Sequence, residues 1–527
     1  MNPPALTLDH RGLVVRPAPN PAPQGPFTTA GLLNYGLAHH PQRLALVHDQ
    51  TEYSWQALAD RVKAAAGGLA SLGIGPGDRV VGRMANGPAL VEAFLATQQL
   101  GALWLGINPN LSDDEACWMM DDAQASLVLT DPDRPVGNRP SLCLPQWQDL
   151  LAAGHPAPET LIDPHAPEPL IAPPAPAAIA YTSGTTGRPK GAVHSQHNLL
   201  WPGVSTRTLY PPLPNERNGT ALALTVLNMM ILGPISAFVR GTATVILNPG
   251  PAASIAQGIE KTKINRMLMV PTQIHDMVHD PKITAQQLSS LSQVIVGAGP
   301  TPPELRKAWQ DKFGFPCTMG YGLSEAPSGV VRQRHDAPQT DENGAGQALD
   351  PVVLHILDDN DLPLAACQTG EVCIGPQTTG PWAGVWTPML GYWNQPQATQ
   401  KALRGGLLHT GDLGYLDQDG LLTLQGRRSD LILRGGANVY PTEVERVLLT
   451  YPGVNQAIVL GLPDERLGQR VAAALVAHPN LDLDDLAKFT HQKLAAYKVP
   501  DAWHIVQRFE RNTMGKVIRA QVAELFN

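Results

Sequence analysis

Between Tyr181 and Gly191 the chain reads Tyr-Thr-Ser-Gly-Thr-Thr-Gly-Arg-Pro-Lys-Gly. Its three glycines, Gly184, Gly187 and Gly191, permit positive φ and close approach to the backbone. The hydroxyls of Thr182, Ser183, Thr185 and Thr186 donate hydrogen bonds, successive amides can form an anion-binding nest, and Lys190 adds a mobile positive charge. A polyphosphate suits such a loop, although an ordinary surface loop can share its composition. It is not a Walker A loop, because the G-x-x-x-x-G-K-[ST] spacing is absent. A second segment, Gly322-Leu323-Ser324-Glu325-Ala326, approaches the G-x-S-x-G nucleophile elbow, but Ala326 replaces the last glycine and no triad partners suggest themselves, so a serine hydrolase is rejected. His275 and His279 have a helical chelating spacing without an evident third ligand, and are expected on an exposed or half-buried helix face.

The elements that must position these residues alternate between helices and short apolar runs, which predicts α/β layers. Ser54 to Gly73 is expected as a helix, with Leu58, Val62, Ala65 and Leu69 in period, Ser54 as N-cap and Gly73 as stop. The segment from Gly75 turns into a short strand, and Asn86 to Gly101 reads as a second capped helix. Eight prolines from Pro156 to Pro176 predict a surface connector, because proline lacks the amide donor. Asn218 to Val239 carries no charge and is long enough to span a membrane, but Asn228, Gly233 and Pro234 fall inside it, so a buried strand, turn and helix is the reading. Near Gly426 the character changes. A helix after Pro441, apolar runs at Ala457–Leu460 and Val471–Val476, a helix near Asp485–Leu494 and a final strand near Ile505 predict a small α+β domain. The division expected is an N-terminal domain over 1–428, made of layered α/β subdomains plus a β-rich subdomain, and a mobile α+β C-terminal domain over 429–527.

The 527 residues are enough for a large multi-layer core. The composition, 43% hydrophobic and 16% charged, is that of a globular chain. A net charge of -8 without a basic run argues against a nucleic-acid partner. Five scattered cysteines without a C-x-x-C pair predict free thiols in a reducing compartment, and the first residues lack a secretory pattern, so a cytoplasmic protein without a transmembrane segment is expected.

The loop at Tyr181 resembles the signature loop of the acyl-CoA synthetase, peptide-synthetase adenylation domain and luciferase superfamily. Further segments resemble that family in order: Tyr321-Gly322-Leu323-Ser324-Glu325, then His409-Thr410-Gly411-Asp412, then Gly426-Arg427 with Gly435-Gly436 and Pro441-x-Glu443, then Asn512-Thr513-x-Gly515-Lys516. The resemblance implies ATP-dependent activation of a carboxylic acid as an acyl-AMP, followed by transfer to a thiol, that of coenzyme A or, alternatively, of a carrier protein's phosphopantetheine. It implies that Thr182, Ser183, Gly184, Thr185, Thr186, Gly187 and Lys190 hold the phosphates, with Thr186 also catalytic. Glu325 would hold Mg²⁺, Ser324 would meet the α-phosphate, and Tyr321 with Gly322 would face adenine. Gly297, Ala298 and Gly299 would leave room at a strand end, where a plain tight turn fits the residues equally well. Asp412 would take the ribose, Arg427 the ribose or a phosphate, and Lys516 would bridge carboxylate and α-phosphate. Ser429 aligns with the hinge, where relatives have Asp or Lys and where Asp430 can share the task; Gly435 and Gly436 would line the thiol channel. Asn228, Met229, Met230 and Ile231 stand where many relatives have a histidine-bearing strand, which suits an uncharged apolar acyl group and disfavours an amino acid. Gln196 departs from the family pattern in Ser195-Gln196-His197-Asn198, where Ser195 is still expected to cap the next helix. A homodimer is admitted, since the oligomeric state stays open.

Overall fold

Alternating helices and short apolar runs build sheets with helices against them, as the pattern predicts. The structure, a computed structural model, describes residues 6–23, 25–158, 171–182, 189–299, 301–334, 344–478, 481–511 and 517–526. The chain divides into two compact units: one of residues 1–340, 345–354 and 374–409, the other of residues 341–344, 355–373 and 410–527.

The strands of the first unit that matter below are β1 (Leu44–His48), β2 (Thr51–Ser54), β3 (Arg79–Arg83), β4 (Leu103–Gly106), β5 (Leu127–Thr130), β6 (Ser141–Leu142), β7 (Pro176–Thr182) and β8 (Lys190–Ser195). They continue with β9 (Arg217–Thr220), β10 (Ala243–Ile246), β11 (Arg266–Met269), β12 (Gln293–Val296), β13 (Cys317–Leu323), β14 (Ser328–Arg332) and β15 (Gly391–Tyr392). One sheet runs β15-β8-β7-β4-β3-β5-β6, and a second carries β14-β13-β12-β11-β9-β10-β1-β2. From β9 to β13 the neighbours β9, β11, β12 and β13 are parallel, while β13–β14 and β7–β8 are antiparallel hairpins. The segments after β7, β12 and β13 therefore lie at carboxyl ends of parallel strands, where open α/β sheets bind ligands.

The helix Trp55–Ser71 forms as expected: the Ser54 hydroxyl accepts from the Ala57 amide at 3.1 Å, Leu58, Val62, Ala65 and Leu69 are buried, and Gly73 leaves in a left-handed conformation. The next helix begins at Pro88, not at Asn86, with Gly87 at its N-cap. Asn86 instead donates to the carbonyls of Leu222 and Leu247, both at 2.9 Å, and accepts from the Leu224 amide, so a polar side chain that looked like a cap joins distant loops. The uncharged stretch becomes β9, a helical turn over Leu227–Met230, a π turn over Ile231–Ile235 containing Pro234, and a turn over Ser236–Val239. Among the described residues no helix is long and apolar enough to cross a membrane. Ser195 caps a turn, accepting from the Asn198 amide at 3.1 Å, and the helix starts only at Trp201, so the expected helix cap is corrected. Gln196 is fully buried, donating to Gln98 Oε1 at 3.0 Å and accepting from the Ala30 amide at 3.1 Å, so the departure from the family pattern serves internal packing. The proline-rich connector lies partly in 159–170, outside the described residues.

In the second unit, Asp412–Leu416 pairs with Leu422–Arg427, and a sheet runs from Ala437–Val439 through Ile432–Arg434 and Gly468–Ala477 to Val454–Asp464, with Ala502–Val506 parallel to Gly468–Ala477. The helices Pro441–Leu449 and Leu483–Lys493 match expectation, the latter capped by Asp482; Ala502–Val506 is the final strand, as expected, and a further helix, Arg519–Glu524, follows it. The five cysteines are free.

Gly106 ends β4 where a Cβ would come 1.9 Å from the Thr225 carbonyl oxygen, a backbone contact that cannot rotate away. Gly106→Ala is expected to destabilise the protein by about 3 kcal/mol, read as a lowered urea midpoint with unchanged slope.

Candidate active site

The glycine-rich loop joins β7 to β8, and its base is fixed by register: Tyr181 faces Gly191 and Thr182 faces Lys190. Thr182 Oγ1 donates to the Lys190 carbonyl at 3.4 Å. Ser183, Gly184, Thr185, Thr186 and Gly187 lie outside the described residues. The Tyr181 hydroxyl donates to Asp122 at 2.5 Å, and burial together with that carboxylate raises its pKa, so it stays a neutral anchor.

Glu325 lies in the turn of the β13–β14 hairpin. Its Oε1 accepts from the Tyr392 hydroxyl at 2.9 Å, and its carbonyl accepts from the Met389 amide at 2.9 Å. The ammonium of Lys190 stands over the Tyr392 ring, 5.3 Å from its centroid, a cation–π distance. Two sequence-predicted residues, 135 apart in the chain, are thus brought to one tyrosine that sequence reasoning missed. The only trace of it was a Gly-Tyr-Trp run with no polar spacing to interpret. Tyr392 is held by backbone: Leu390 N donates to Val193 O, Trp393 N to Gly191 O, and Tyr392 N to Thr399 Oγ1.

Gly322 is required sterically, because a Cβ there would lie 2.0 Å from the Ser328 carbonyl. Tyr321 and Ser324 are half-buried on the same hairpin. Gly297 follows β12 and approaches the Gly320 carbonyl, and Ala298 takes φ 68°, a left-handed conformation rare for a residue with a Cβ. Such strain is commonest where function holds a turn in place. Met230 and Ile231 are fully buried in a core cluster, so their side chains fill the interior; Met229 is buried and Asn228 half-buried.

Beneath the hairpin, His194 on β8 is fully buried, with Nδ1 3.3 Å from the Asn198 amide nitrogen. Burial pushes its pKa down to about 4, against the opposing effect of the Ser324 backbone and the Asn198 amide. His197 is lowered for the same first reason.

In the second unit, Asp412 and Arg427 face each other across the hairpin and form an ion pair at 2.8 Å, with the Asp412 side chain 9% exposed and that of Arg427 45%. The Asp412 amide donates to Thr410 Oγ1, the Gly411 amide to Glu371, and Arg427 Nη1 to the Thr410 carbonyl. Ser429 is exposed and donates to Asp430 Oδ1 at 3.1 Å, while Asp430 Oδ2 is 3.3 Å from Arg519 Nε. Gly435 and Gly436, at φ 57° and 84°, form the two-residue turn between Ile432–Arg434 and Ala437–Val439, a conformation that itself demands glycine. Lys516 lies outside the described residues; the ends of its segment are joined by the Arg511–Val517 bridge. His275 and His279 are exposed on one helix, their rings stacked at 4.2 Å, as the bland reading expected.

The family model described as AMP-binding enzyme matches residues 34–393, and that of the AMP-binding enzyme C-terminal domain matches residues 443–516. A feruloyl-CoA synthase from Amycolatopsis sp. is 29% identical over 496 residues, covering 92% of this chain and 96% of that relative. A 2-succinylbenzoate–CoA ligase from Bacillus cereus (strain Q1) is 29% identical over 491 residues, with the same coverages. The solved o-succinylbenzoate CoA synthetase of Bacillus subtilis, in complex with its acyl-adenylate intermediate, superposes with a TM-score of 0.80 at 26% identity, covering 93% of this chain and 97% of that one.

Because the folded pKa of His194 lies below its ordinary 6.5, the unfolded chain gains a proton first as pH falls, and stability is lost through the window from about 6.5 towards 4. The expected cost over that window is about 3 kcal/mol. Urea midpoints at pH 7 and pH 5 should differ more in the natural protein than in His194→Gln; equal differences would remove His194 from the account.

Proposed function

The chain belongs to the AMP-binding enzyme family, and from that premise we propose that it is an AMP-forming carboxylic acid–CoA ligase. ATP and the acid give an acyl-AMP with loss of pyrophosphate, and the thiol of coenzyme A then displaces AMP to give the thioester. The two curated relatives are named for CoA products, which favours CoA over a carrier-protein thiol. ATP, CoA and a small carboxylic acid are its substrates. A reaction that consumes ATP and CoA suits the cytoplasm.

The observation that carries the reading is the placement of Lys190 over the ring of Tyr392 and of Glu325 at its hydroxyl. A carboxylate resists attack because it is already anionic, and attachment of AMP removes that charge and supplies a leaving group. The enzyme must therefore neutralise phosphate charge while holding two anions in line. Lys190, with Thr182, Ser183, Gly184, Thr185, Thr186 and Gly187, is assigned to the phosphates. Glu325 is the proposed Mg²⁺ ligand. A single carboxylate fits an ion that keeps several waters and takes its other ligands from substrate phosphates, and when bound the ion would offset phosphate charge. Ser324 would meet the α-phosphate, Tyr321 and the Gly297-Ala298-Gly299 turn the adenine, and Asp412 with Arg427 the ribose. Of the four residues expected at the acyl side, Met230 and Ile231 fill the core, which leaves Asn228 and Met229 to border it.

Lys516, on a lobe over 429–527 that turns at Ser429 relative to 1–428, is proposed to bridge the acid and the α-phosphate in the first step and to leave for the second. Gly435 and Gly436 would then admit the thiol.

Pyrophosphate release measured over a panel of acids, with and without CoA, tests the assignment; silence with every acid would overturn it. Lys516→Ala should abolish adenylation yet keep much of the thioester formation from supplied acyl-AMP, and equal loss of both steps would refute its role. Tyr392→Phe deletes the hydroxyl on Glu325 while keeping the ring beneath Lys190. Its adenylation rate should fall about tenfold, the worth of one charge-assisted hydrogen bond, with a raised Mg²⁺ requirement. An unaltered Mg²⁺ dependence would show that the hydroxyl does not position Glu325.

A further inference from the structure

His194 and Asn198 join the parts of the site from beneath. Side chains alternate along β8, so Lys190, Ala192 and His194 share one face, and Tyr392, opposite Ala192 in β15, shares it too. Both His194 and Asn198 are fully buried. Partners settle the orientation of the Asn198 amide. Its oxygen accepts from the Ser195 amide at 3.0 Å, so its nitrogen is the atom 3.0 Å from the Pro388 carbonyl and 3.3 Å from His194 Nδ1. One N–H of that nitrogen goes to the carbonyl and the other to the ring, which makes His194 Nδ1 an acceptor. Burial keeps the ring neutral near pH 7, and its one hydrogen is therefore on Nε2.

That N–H is buried and makes no hydrogen bond of ordinary geometry to a described residue. Burial lowers the pKa of the ring, and the Ser324 backbone opposes the shift, as a carbonyl facing the ring does. The Ser324 carbonyl is half of the peptide unit that enters Glu325, and a planar peptide sets the direction in which the next residue presents its side chain. The far side of Glu325 is already held: its carbonyl accepts from the Met389 amide and its Oε1 from the Tyr392 hydroxyl, both at 2.9 Å. Pro388, bonded to Asn198, directly precedes Met389. The contacts thus run from His194 through Asn198, Pro388 and Met389 to Glu325, and return by Ser324 to His194. A buried donor without a full partner is costly; this one is retained where a small movement of the turn completes it.

We propose that His194 is a positioning residue for Glu325. Asn198 holds the ring as its Nε2–H tautomer, and that N–H closes onto the Ser324 carbonyl when Glu325 takes up its metal, bracing the carboxylate from the strand that carries Lys190. The proposal rests on the reading of Glu325 as the Mg²⁺ ligand.

The test uses the full chain. In protein labelled with nitrogen-15 histidine, the His194 signals are those missing from His194→Gln, and at pH 7 they should report a bare Nδ1 and a protonated Nε2. Asn198→Asp, which offers the ring an acceptor in place of a donor, should put a proton on Nδ1. A protonated Nδ1 in the natural protein, or no change in the variant, overturns the tautomer and the proposal with it. Function is read by calorimetric titration of ATP with and without Mg²⁺. The gain in ATP affinity that Mg²⁺ brings should fall about tenfold in His194→Leu, the scale of an outer contact that orients a metal ligand. His194→Gln, whose amide N–H can replace Nε2–H, should keep most of the gain. An undiminished gain in His194→Leu overturns the brace, and so does an equal loss in both variants, because the site would then need only the shape of the ring. His194→Met takes the place of His194→Leu should that variant not fold. If Mg²⁺ brings no gain in the natural protein, the metal reading of Glu325 fails instead, and the spectra still decide, by the same two outcomes, whether Asn198 sets the ring.

Discussion

A lysine and a carboxylate placed in contact would neutralise one another; at this site a phenol keeps them apart. Lys190 rests on the face of Tyr392 and Glu325 on its hydroxyl, so each charge is oriented without being paired with the other. That arrangement suits a ligand that is itself polyanionic and arrives with a divalent cation, because one residue remains to attract the anion and the other to hold the cation. The rest of the first unit serves this spacing. β15 is laid along β8, Met389 is fastened to Glu325, the Asn198 amide donates to the Pro388 carbonyl, and His197 Nε2 is 2.8 Å from the Val385 carbonyl. The segment bearing Tyr392 is therefore fixed on both sides by backbone contacts that depend little on its own side chains.

The second unit uses ion pairs differently. Asp412 is already paired with Arg427, and the pair ties the two strands of the hairpin together. Arg519 reaches Asp430 at 3.3 Å and Glu445 at 2.9 Å, and its Nη1 donates to the Val459 carbonyl at 2.7 Å. Burial raises the pKa of Glu445, while Arg519 opposes the shift. Of the two residues considered for the hinge, Asp430 is thus committed within its own unit, and exposed Ser429 is the freer of the pair.

What could be read from the sequence was local. The Ser54 cap, the helical period after it and the Gly435-Gly436 turn each depend on neighbours within a few residues. The glycine-rich loop and Glu325 were found as short motifs, and the resemblance supplied their roles. What could not be read was tertiary. Tyr392 meets partners 67 and 202 residues away. Asn86 was misread because an asparagine before a helix satisfies the cap pattern whether it bonds the helix or a distant loop. Ser195 was misread likewise, since a capped turn and a capped helix begin alike. Sequence spacing encodes periodicity, whereas these contacts are set by how sheets and loops meet.

The central claim is that Lys190 and Glu325, held apart by Tyr392, together receive a triphosphate and its metal. Calorimetric titration of ATP into the purified protein, with and without Mg²⁺, addresses it directly when repeated on Glu325→Gln. The account predicts that Mg²⁺ strengthens ATP binding in the natural protein and that this gain is lost in Glu325→Gln. Absence of ATP binding, or an equal Mg²⁺ gain in the variant, would contradict it.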